Sequence, residues 1–365
     1  MFRLVPVDTL TGDPIVPHIS ASAVSYERTM WQGRGEFTIN TNGMPDALVQ
    51  RLAKGWSTTL VPEWVQVQSD GREGGIAEYA GIVTGVRGWN GRNLTVTTHE
   101  LPIITTKRHL FGMNDGPVTW QLKRATRAEI VSSALWLALS GGKGGRWQLP
   151  VIWPEMTTGD VVRTFDWWRF KTAADIVTEI TAEDPDLMVD FNPVWTDGRL
   201  KWRMQAGTIK AGELRLPVST EAYPIPGGAV VDTDWDYLNQ ITGHFTIGDG
   251  EKNRTPYGRA TSGMVDVDPE IPWLDTSSAW VGLDSTTRLN YVARTKLREQ
   301  RYGLRTDKVV IDAKDPLTPS MVRPGTRLVL DFPGDALRPA GEKELLVLAK
   351  KRDETTRVEL TVMEA

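Results

Sequence analysis

One β-hairpin constrains the fold of this chain more than any other stretch. Two runs typical of β-strands, Tyr79–Val86 and Asn93–Thr98, flank a turn that contains the dipeptide Asn90-Gly91. Asn-Gly tolerates positive φ and therefore favours a tight hairpin turn. In the second run, Leu94 and Val96 alternate with polar residues, which is the period of a strand with one buried face. We therefore expect antiparallel sheet in this region.

The C-terminal region also contains alternating apolar and polar runs that are typical of β-strands. Leu328, Leu330 and Phe332 share one phase of an alternating run, Leu345–Ala349 is a more apolar run, and Arg357–Val362 alternates again. Such runs predict a β-meander near each end of the chain. The fold class that we predict is mainly β with an α+β insertion, as two small β-barrel-like domains plus an inserted mixed region.

A chain of 365 residues is long for one domain. We predict an N-terminal β-barrel-like domain over residues 1–112 and an inserted α+β region over 113–225. Residues 226–365 are expected to hold strands, a helix over 285–301 and a C-terminal β-barrel-like domain. Within them, residues 248–263 are polar and predict a long loop, either mobile or ordered only against a partner.

Three segments have helical signatures. Thr126 and Glu129 have the spacing of a capping box, and Thr172 with Asp175 repeats that signal. The helix over 285–301 is the best defined, with Ser285 as its cap. Its apolar stripe is Leu289, Val292, Ala293 and Leu297. Its basic face is either a solvated surface or a docking site for an acidic neighbour.

Composition excludes several classes of site. The chain has no cysteine, which rules out disulfides, thiolate metal ligands and cysteine nucleophiles. The net charge of −4 predicts no general attraction to nucleic acid. The N-terminus is too polar for a signal peptide. We expect no membrane span, because the best apolar run, Ala134–Leu139, is far shorter than the ~20 residues that cross a bilayer.

Tryptophan is unusually frequent. There are 15 tryptophans, more than the tyrosines or the phenylalanines. Three interpretations stay open: core anchors, a surface that stacks on sugars, and a subunit interface, where tryptophan is enriched.

Three stretches resemble catalytic or metal-binding motifs, but each lacks residues that the motif requires. His99 and Glu100 begin like a zinc-protease helix, but the second histidine is missing and Pro102 would break the helix. The glycine run 141–145 follows a helix and lacks the Gly-Lys-Ser/Thr of a phosphate-binding loop. The acidic triplet at residues 232–236 lacks the glycine and glutamate of an EF-hand, which leaves a loop or a weak cation site.

An enzyme alternative rests on carboxylates. Glu155, Asp160 and Asp166 lie among tryptophans in the sequence, as in a sugar-binding cleft. A glycosidase needs two facing carboxylates, but nothing in the spacing singles out an acid and a nucleophile. We therefore assign no catalytic, cofactor-binding or metal-binding residues.

Three features together resemble the hub proteins of bacteriophage tails. The first is the hairpin 79–96, which leads into Leu110-Phe111-Gly112. The second is an inserted α+β region with a short helix, Thr172–Ile180. The third is a closing strand region that starts at Val322-Arg323-Pro324-Gly325 and ends in Arg357–Val362. The abundance of tryptophan and the glycine- and arginine-rich composition also resemble minor tail proteins of siphophages.

The resemblance implies a structural role rather than catalysis. In this family two β-barrels per chain form a trimeric ring, which adapts the sixfold tail tube to a threefold tip. The expected partners are further copies of the chain, the distal tail protein, the tape-measure protein and fibre proteins, with DNA only passing through the lumen. The resemblance implies a location in the virion, at the tail tip, after assembly in the host cytoplasm. The alternatives are a carbohydrate- or receptor-binding module and a carboxylate-pair glycan hydrolase.

Overall fold

The computed structural model describes most of the chain. The described residues are 2–67, 73–110, 119–140, 148–155, 157–184, 186–208, 212–219, 224, 227–236, 240–250, 254–261, 272–280, 283–300, 304–312, 319–334, 340–353, 355 and 357–364. Two compact units divide the chain: unit 1 is Met1–Val231 with Val309–Ala365, and unit 2 is Asp232–Lys308.

Strands dominate the secondary structure. The N-terminal elements are β1 (Phe2–Asp8), β2 (Ala21–Thr29), β3 (Arg34–Asn40), α1 (Asp46–Ala53), β4 (Thr58–Val67), β5 (Glu73–Ala77), β6 (Gly81–Trp89) and β7 (Asn93–Glu100). The middle elements are β8 (Trp120–Ala125), α2 (Arg127–Leu139), β9 (Val151–Ile152), β10 (Val161–Phe165), α3 (Ala173–Glu183), β11 (Met188–Thr196), β12 (Arg199–Gly207) and β13 (Glu213–Pro217). The remaining elements are β14 (Ala229–Asp236), β15 (Gly243–Ile247), β16 (Tyr257–Thr261), β17 (Asp275–Ala279), α4 (Thr286–Gln300), β18 (Leu304–Asp312), β19 (Arg327–Phe332), β20 (Gly341–Asp353) and β21 (Arg357–Glu364). Short 3-10 helices cover Leu101–Lys107, Trp167–Arg169 and Pro319–Met321.

The predicted hairpin is confirmed as β6 and β7. The two strands pair antiparallel from Gly81 opposite Glu100 to Trp89 opposite Leu94. Gly91 has a φ of 82°, as the turn requires. The Asn90 side chain accepts hydrogen bonds from the backbone N–H groups of Arg92 and Asn93, which fixes the turn.

One large, mostly antiparallel sheet joins the two ends of the chain. Its strand order is β1-β4-β6-β7-β3-β2-β20-β21-β18-β14, with β5, β13 and β19 paired off this path. The long strand β20 makes the junction, because its first half pairs with β19 and its second half, Ala349–Asp353, pairs with β2. The prediction of a mainly β chain is confirmed, but the pairing of the two terminal regions in one sheet was not foreseen.

A β-bulge interrupts β20 where it changes partner. Val347 pairs with Val362 and Ala349 with Thr361, so β20 has one extra residue against β21. Leu345 and Val347 are buried before the bulge, whereas Lys350 and Arg352 are buried after it. Successive strand residues point to opposite faces, so one inserted residue reverses which positions point inward. Because of the bulge, the side chains of Lys350 and Arg352 point into the protein interior.

Unit 1 has three apolar cores. The first lies among the N-terminal strands and α1, around Phe37, Leu52 and Tyr79. The second packs α2 and α3 with the β11–β12 hairpin, where Trp202 is fully buried. The third lies among the C-terminal strands and β13 and β14. The insertion is thus packed on its own helices as well as on the sheet.

The capping box predicted at Thr172 is confirmed, and at Thr126 one of its two hydrogen bonds is present. The Thr126 side chain accepts a hydrogen bond from the N–H of Glu129 at the start of α2. At α3, Thr172 and Asp175 form both hydrogen bonds of a capping box. These bonds satisfy N–H groups that a helix start leaves without intrahelical partners.

Unit 2 is a three-stranded sheet covered by α4. Its strand order is β16-β15-β17. All four residues of the predicted apolar stripe on α4 are buried. Gly258 of β16 lies so close to α4 that an added Cβ would stand 2.2 Å from the backbone of Leu289. On the other face of this sheet Phe245, Ile247 and Tyr257 are exposed.

Two local predictions were wrong. Residues 248–263 are not one long loop, because they contain β16, which pairs with β15; residues 251–253 and 262–263 lie outside the described ones. The acidic triplet at 232–236 lies in β14 rather than in a loop. The glycine run 141–145 lies outside the described residues. No helix in the described part of the chain has the length and apolar content needed to cross a membrane.

Gly12 provides a test of how the N-terminal strands meet the insertion. Its φ is 74°, its carbonyl accepts a hydrogen bond of 2.9 Å from the N–H of Leu200 in β12, and an added Cβ would stand 2.1 Å from the Leu200 carbonyl oxygen. Gly12→Ala should therefore lower the free energy of unfolding by on the order of 3 kcal/mol, measured by urea denaturation. The control is Gly91→Ala, which has positive φ but no atom within 4 Å of the added Cβ and should cost about 1 kcal/mol. Equal losses would show that backbone strain alone, without the contact to β12, sets the effect.

Candidate functional site

Arg28 is the centre of a buried cluster that ties the N-terminal sheet to the insertion. It lies on β2 in phase with the buried Val24 and Tyr26, so its side chain points inward. Its Nη2 donates to both carboxylate oxygens of Asp190 on β11, at 2.9 and 3.1 Å, and its Nη1 donates to Asn192 at 3.0 Å. Glu100, at the end of β7, completes the cluster with Oε1 at 3.6 Å from Arg28 Nε. We call these residues the Arg28 cluster.

The Arg28 cluster has two carboxylates for one guanidinium. The pKa of Glu100 is raised to about 8, chiefly by burial and also by the neighbouring Asp190, whereas Arg28 acts to lower it. The Glu100 carboxyl therefore keeps a proton at neutral pH, which removes the surplus negative charge. Its Oε2 accepts a hydrogen bond of 2.9 Å from the Gly33 N–H. The two carboxylates raise the pKa of Arg28 against the effect of its burial.

Glu78 is the centre of a second cluster, which ties β20 to the N-terminal sheet. Its Oε2 accepts hydrogen bonds from Arg352 and from the Tyr26 hydroxyl, and lies 3.6 Å from Lys350 Nζ. The side chains of Glu78 and Arg352 are 1% and 0% exposed. Arg352 also lies over the Trp64 ring, 5.0 Å from its centroid. We call these residues the Glu78 cluster.

The charges of the Glu78 cluster depend on one another. Burial alone would raise the pKa of Glu78, but Lys350, Arg352 and the Tyr26 hydrogen bond lower it below its ordinary value. Burial lowers the pKa of Lys350 to about 8, although Glu78 acts to raise it. A carboxylate with two buried cations is stable only while its partners stay in place.

A pocket of about 400 Å³ opens beside both clusters. Three parts of unit 1 line it: residues 75–78 of the N-terminal region, residues 192–195 of β11, and residues 320–323, which precede β19. Arg28 and Lys350 also line it, so both clusters reach its wall. The volume is in the range of sites for small ligands or single side chains. We call it the Arg323 pocket, after the arginine on its C-terminal side.

The acids of the hydrolase alternative are not gathered in one cleft. Glu155 and Asp160 are exposed and Asp166 is half-buried. Only Asp160 lines a second pocket, of about 470 Å³, together with Asp184, Asp186 and Arg127. Within the described residues no group of three or more His, Asp or Glu is placed to hold a metal ion.

The tryptophans with described side chains divide between the core and the surface: Trp31, Trp120, Trp153 and Trp195 are half-buried and pack against the core that contains Trp202. Of the described tryptophans only Trp202 is buried, and Trp56, Trp89, Trp136, Trp168 and Trp273 are each more than 40% exposed. Trp167 and Trp168 pack edge to face, with centroids 5.9 Å apart. The core interpretation therefore holds for one group of tryptophans, and the interface and sugar-stacking interpretations stay open for the exposed group.

Sequence reasoning missed every member of the two clusters as a site residue. A signal existed for two of them. Arg28 is in phase with Val24 and Tyr26, and Glu100 is in phase with Leu94 and Val96. A charge at an inward strand position must find a partner, since an isolated buried charge is very costly. The identity of those partners depends on contacts between distant segments.

Comparison with known proteins agrees with this architecture. No protein-family model matches the sequence, and no curated protein matches it. Solved structures do match: the 43 kDa tail protein of prophage MuSo2 from Shewanella oneidensis aligns with 100% of this chain and 98% of its own, with a TM-score of 0.62 and 8% identity. The chain has the fold of a phage tail protein.

Two further structures have this tail-protein fold. A tail protein from Neisseria meningitidis aligns over 100% of this chain and 96% of its own, with a TM-score of 0.59 and 15% identity. Prophage tail protein gp18 from Listeria monocytogenes aligns over 98% of this chain and 94% of its own, with a TM-score of 0.50 and 12% identity. The shared architecture therefore extends through the insertion and both terminal strand regions.

The Arg28 cluster predicts a large effect of removing its cation. Arg28→Met leaves Asp190 buried without its partner and should lower the free energy of unfolding by about 3–5 kcal/mol, measured by chemical denaturation. The control is Lys351→Met, because Lys351 and its partner Glu359 are 57% and 58% exposed. That change should cost less than about 1 kcal/mol. Similar small losses in both variants would contradict the role given to the cluster.

The protonated Glu100 predicts a pH dependence. Between its ordinary pKa of 4.5 and its folded pKa of about 8, the folded state keeps a proton that the unfolded state loses. Rising pH therefore lowers the free energy of unfolding in this window, by roughly 1 kcal/mol per pH unit. Glu100→Gln keeps the shape and cannot titrate, so its stability should fall less over the same range. Parallel pH curves for the two proteins would show that Glu100 is ionised in the folded state.

Proposed function

We propose that this chain is a structural hub protein of a phage tail tip. The observation that carries the proposal is the extent of the fold match, which spans the whole chain and nearly all of the tail proteins from Shewanella oneidensis and Neisseria meningitidis. A domain shared by chance with a larger protein would leave part of either chain unmatched. The role is assembly rather than catalysis.

The strand pairing supports a first barrel-like domain. The N-terminal strands run in the order β1-β4-β6-β7-β3-β2. Bridges between Leu4 and Ile19 and between Val7 and Pro14 bring the segment before β2 to the free edge of β1. This contact at the edge of β1 supports the proposal of a barrel-like domain. The proposed domain is the 1–112 region, followed by the inserted 113–225 region.

The pairing of the C-terminal strands supports the proposal of a second barrel-like domain. β13 pairs parallel with β19, and the order continues through β20, β21 and β18 to β14. A bridge between Val218 and Ala229 connects the end of β13 to the start of β14. The second barrel-like domain thus takes β13 from the insertion as well as strands from the 226–365 region.

Two similar strand layers per chain suit a hub. A homotrimer presents six near-equivalent surfaces only if each subunit contributes two. We propose that such a trimer matches a sixfold tail tube above to a threefold tip below, with the chain located in the virion. Its proposed partners are the distal tail protein, the tape-measure protein and fibre proteins, and DNA passes through the lumen. The exposed tryptophans supply aromatic anchors of the kind found at protein interfaces.

The exposed tryptophans also favour a second candidate, a carbohydrate- or receptor-binding module. Aromatic faces stack on sugar rings, and Trp168 beside Trp167 presents such a face. Binding on a glycan array that is lost in Trp168→Ala, while the control Trp136→Ala keeps it, would favour this role. Absence of glycan binding by the unmodified chain would remove it.

The hub proposal predicts a trimer. The mass in solution, measured by light scattering over a range of concentrations, should rise to three times the 40.6 kDa of one chain. Electron microscopy of these particles should show a ring, and antibodies to the chain should label the end of isolated tails. A monomer at every concentration, together with tails that bind no antibody, would overturn the proposal.

A further inference from the structure

The guanidinium of Arg323 has no bonding partner among the described residues. Its side chain is half-buried at the wall of the Arg323 pocket. Among the described residues its guanidinium makes no ion pair and no hydrogen bond. Its backbone N–H donates to Thr326 Oγ1 at 3.1 Å, and its carbonyl accepts from the Thr326 N–H at 3.0 Å. Most buried or half-buried arginines in proteins have a carboxylate or several acceptors. The five N–H donors of the Arg323 guanidinium are therefore bonded to no acceptor in the described part of the chain.

The electrostatic surroundings of Arg323 add to this imbalance. Burial lowers its pKa, and the positive charges of Arg28 and Arg203 lower it further. Asp190 acts to raise the pKa of Arg323, but that carboxylate already accepts two hydrogen bonds from Arg28. The residues that line the pocket include three cations, Arg28, Arg323 and Lys350, and one carboxylate, Glu78. Such a site attracts an anion.

The polar atoms of the wall suit an oxyanion. The indole Nε1 of Trp195 is buried and has no hydrogen-bond partner within the described part of the chain. An N–H donor in the same pocket as a guanidinium can share the two oxygens of a carboxylate with it. Glu78 lines the same pocket, and its Oε1 also has no partner there. A carboxylate at that wall repels a dianion such as phosphate more strongly than a monoanion.

The apolar residues of the pocket indicate whether it binds a free anion or a carboxylate on a side chain. Ile76 and Met321 line it and are exposed, and the half-buried Val194 adds further apolar surface. A free small anion gains nothing from such a rim, whereas the methylene groups of a glutamate and its neighbours in a peptide pack against it. The volume of about 400 Å³ accommodates one long side chain with part of its backbone.

We propose that the Arg323 pocket binds a glutamate side chain of an acidic segment from a partner protein. The carboxylate forms a two-pronged ion pair with the Arg323 guanidinium and accepts a hydrogen bond from Trp195 Nε1. The apolar rim holds the flanking part of the segment. This inference does not depend on the tail role, because it rests on the charges and shape of this pocket alone.

The test uses the full chain and a fluorescently labelled poly-L-glutamate peptide as probe. Fluorescence anisotropy should show saturable binding to the unmodified protein. Arg323→Gln should weaken it by at least about tenfold, the usual effect of losing a charge-assisted, two-pronged contact. Arg323→Lys should fall between the two, since it keeps the charge without the planar fork. The control is Arg169→Gln, an exposed arginine outside the pocket, which should change the affinity by less than about twofold.

Several results would overturn the proposal. The first is no saturable binding of the peptide, and the second is an equal loss in Arg323→Gln and Arg169→Gln, which would indicate general attraction to surface cations. Displacement of the peptide by inorganic phosphate but not by acetate would indicate a phosphate site instead. The melting temperature of Arg323→Gln should equal that of the unmodified protein or exceed it, because no ion pair is lost. A marked decrease would make Arg323 a structural residue.

Discussion

The ion pair between Glu78 and Arg352 is the interaction on which the joining of the two strand regions depends. The two residues are 274 positions apart, and both side chains are excluded from water. A buried ion pair contributes little net stability compared with an apolar contact of the same size, but the loss of one partner is severely destabilising. Such a pair therefore selects one arrangement. β20 can pair with β2 only in the register that brings Arg352 and Lys350 to Glu78.

The bulge in β20 explains why this arrangement could not be predicted from the sequence. In a regular strand, Leu345 and Val347 would place Lys351 and Asp353 inward and leave Lys350 and Arg352 in water. The extra residue between Val347 and Ala349 reverses that phase. Lys350 and Arg352 are buried, and Lys351 is exposed with Glu359 as its partner. Nothing in the local sequence marks the position of the bulge.

Predictions succeeded where the physics is local. The Asn90-Gly91 turn, the caps at Thr126 and Thr172 and the apolar stripe of α4 each depend on residues within a few positions of one another. The inward positions of Arg28 and Glu100 could also be obtained from strand alternation, since both share the phase of apolar neighbours. Their partner Asp190 could not, because the β11–β12 hairpin meets β2 only in the folded chain. The Arg323 pocket was equally inaccessible, since three distant segments form its wall.

The continuous strand β20 also bears on the proposed hub role. A flexible linker between two barrel-like layers would let their angle vary, and a ring of six surfaces requires that angle to be fixed. Here β20 bonds to β19 and then to β2, so hydrogen bonds continue from one layer to the other. The Glu78 cluster holds the second half of β20 in place, and the Arg28 cluster fixes β11 of the insertion against β2. Two buried charge clusters thus set the geometry of all three parts of unit 1, and symmetry can then multiply that geometry around a ring.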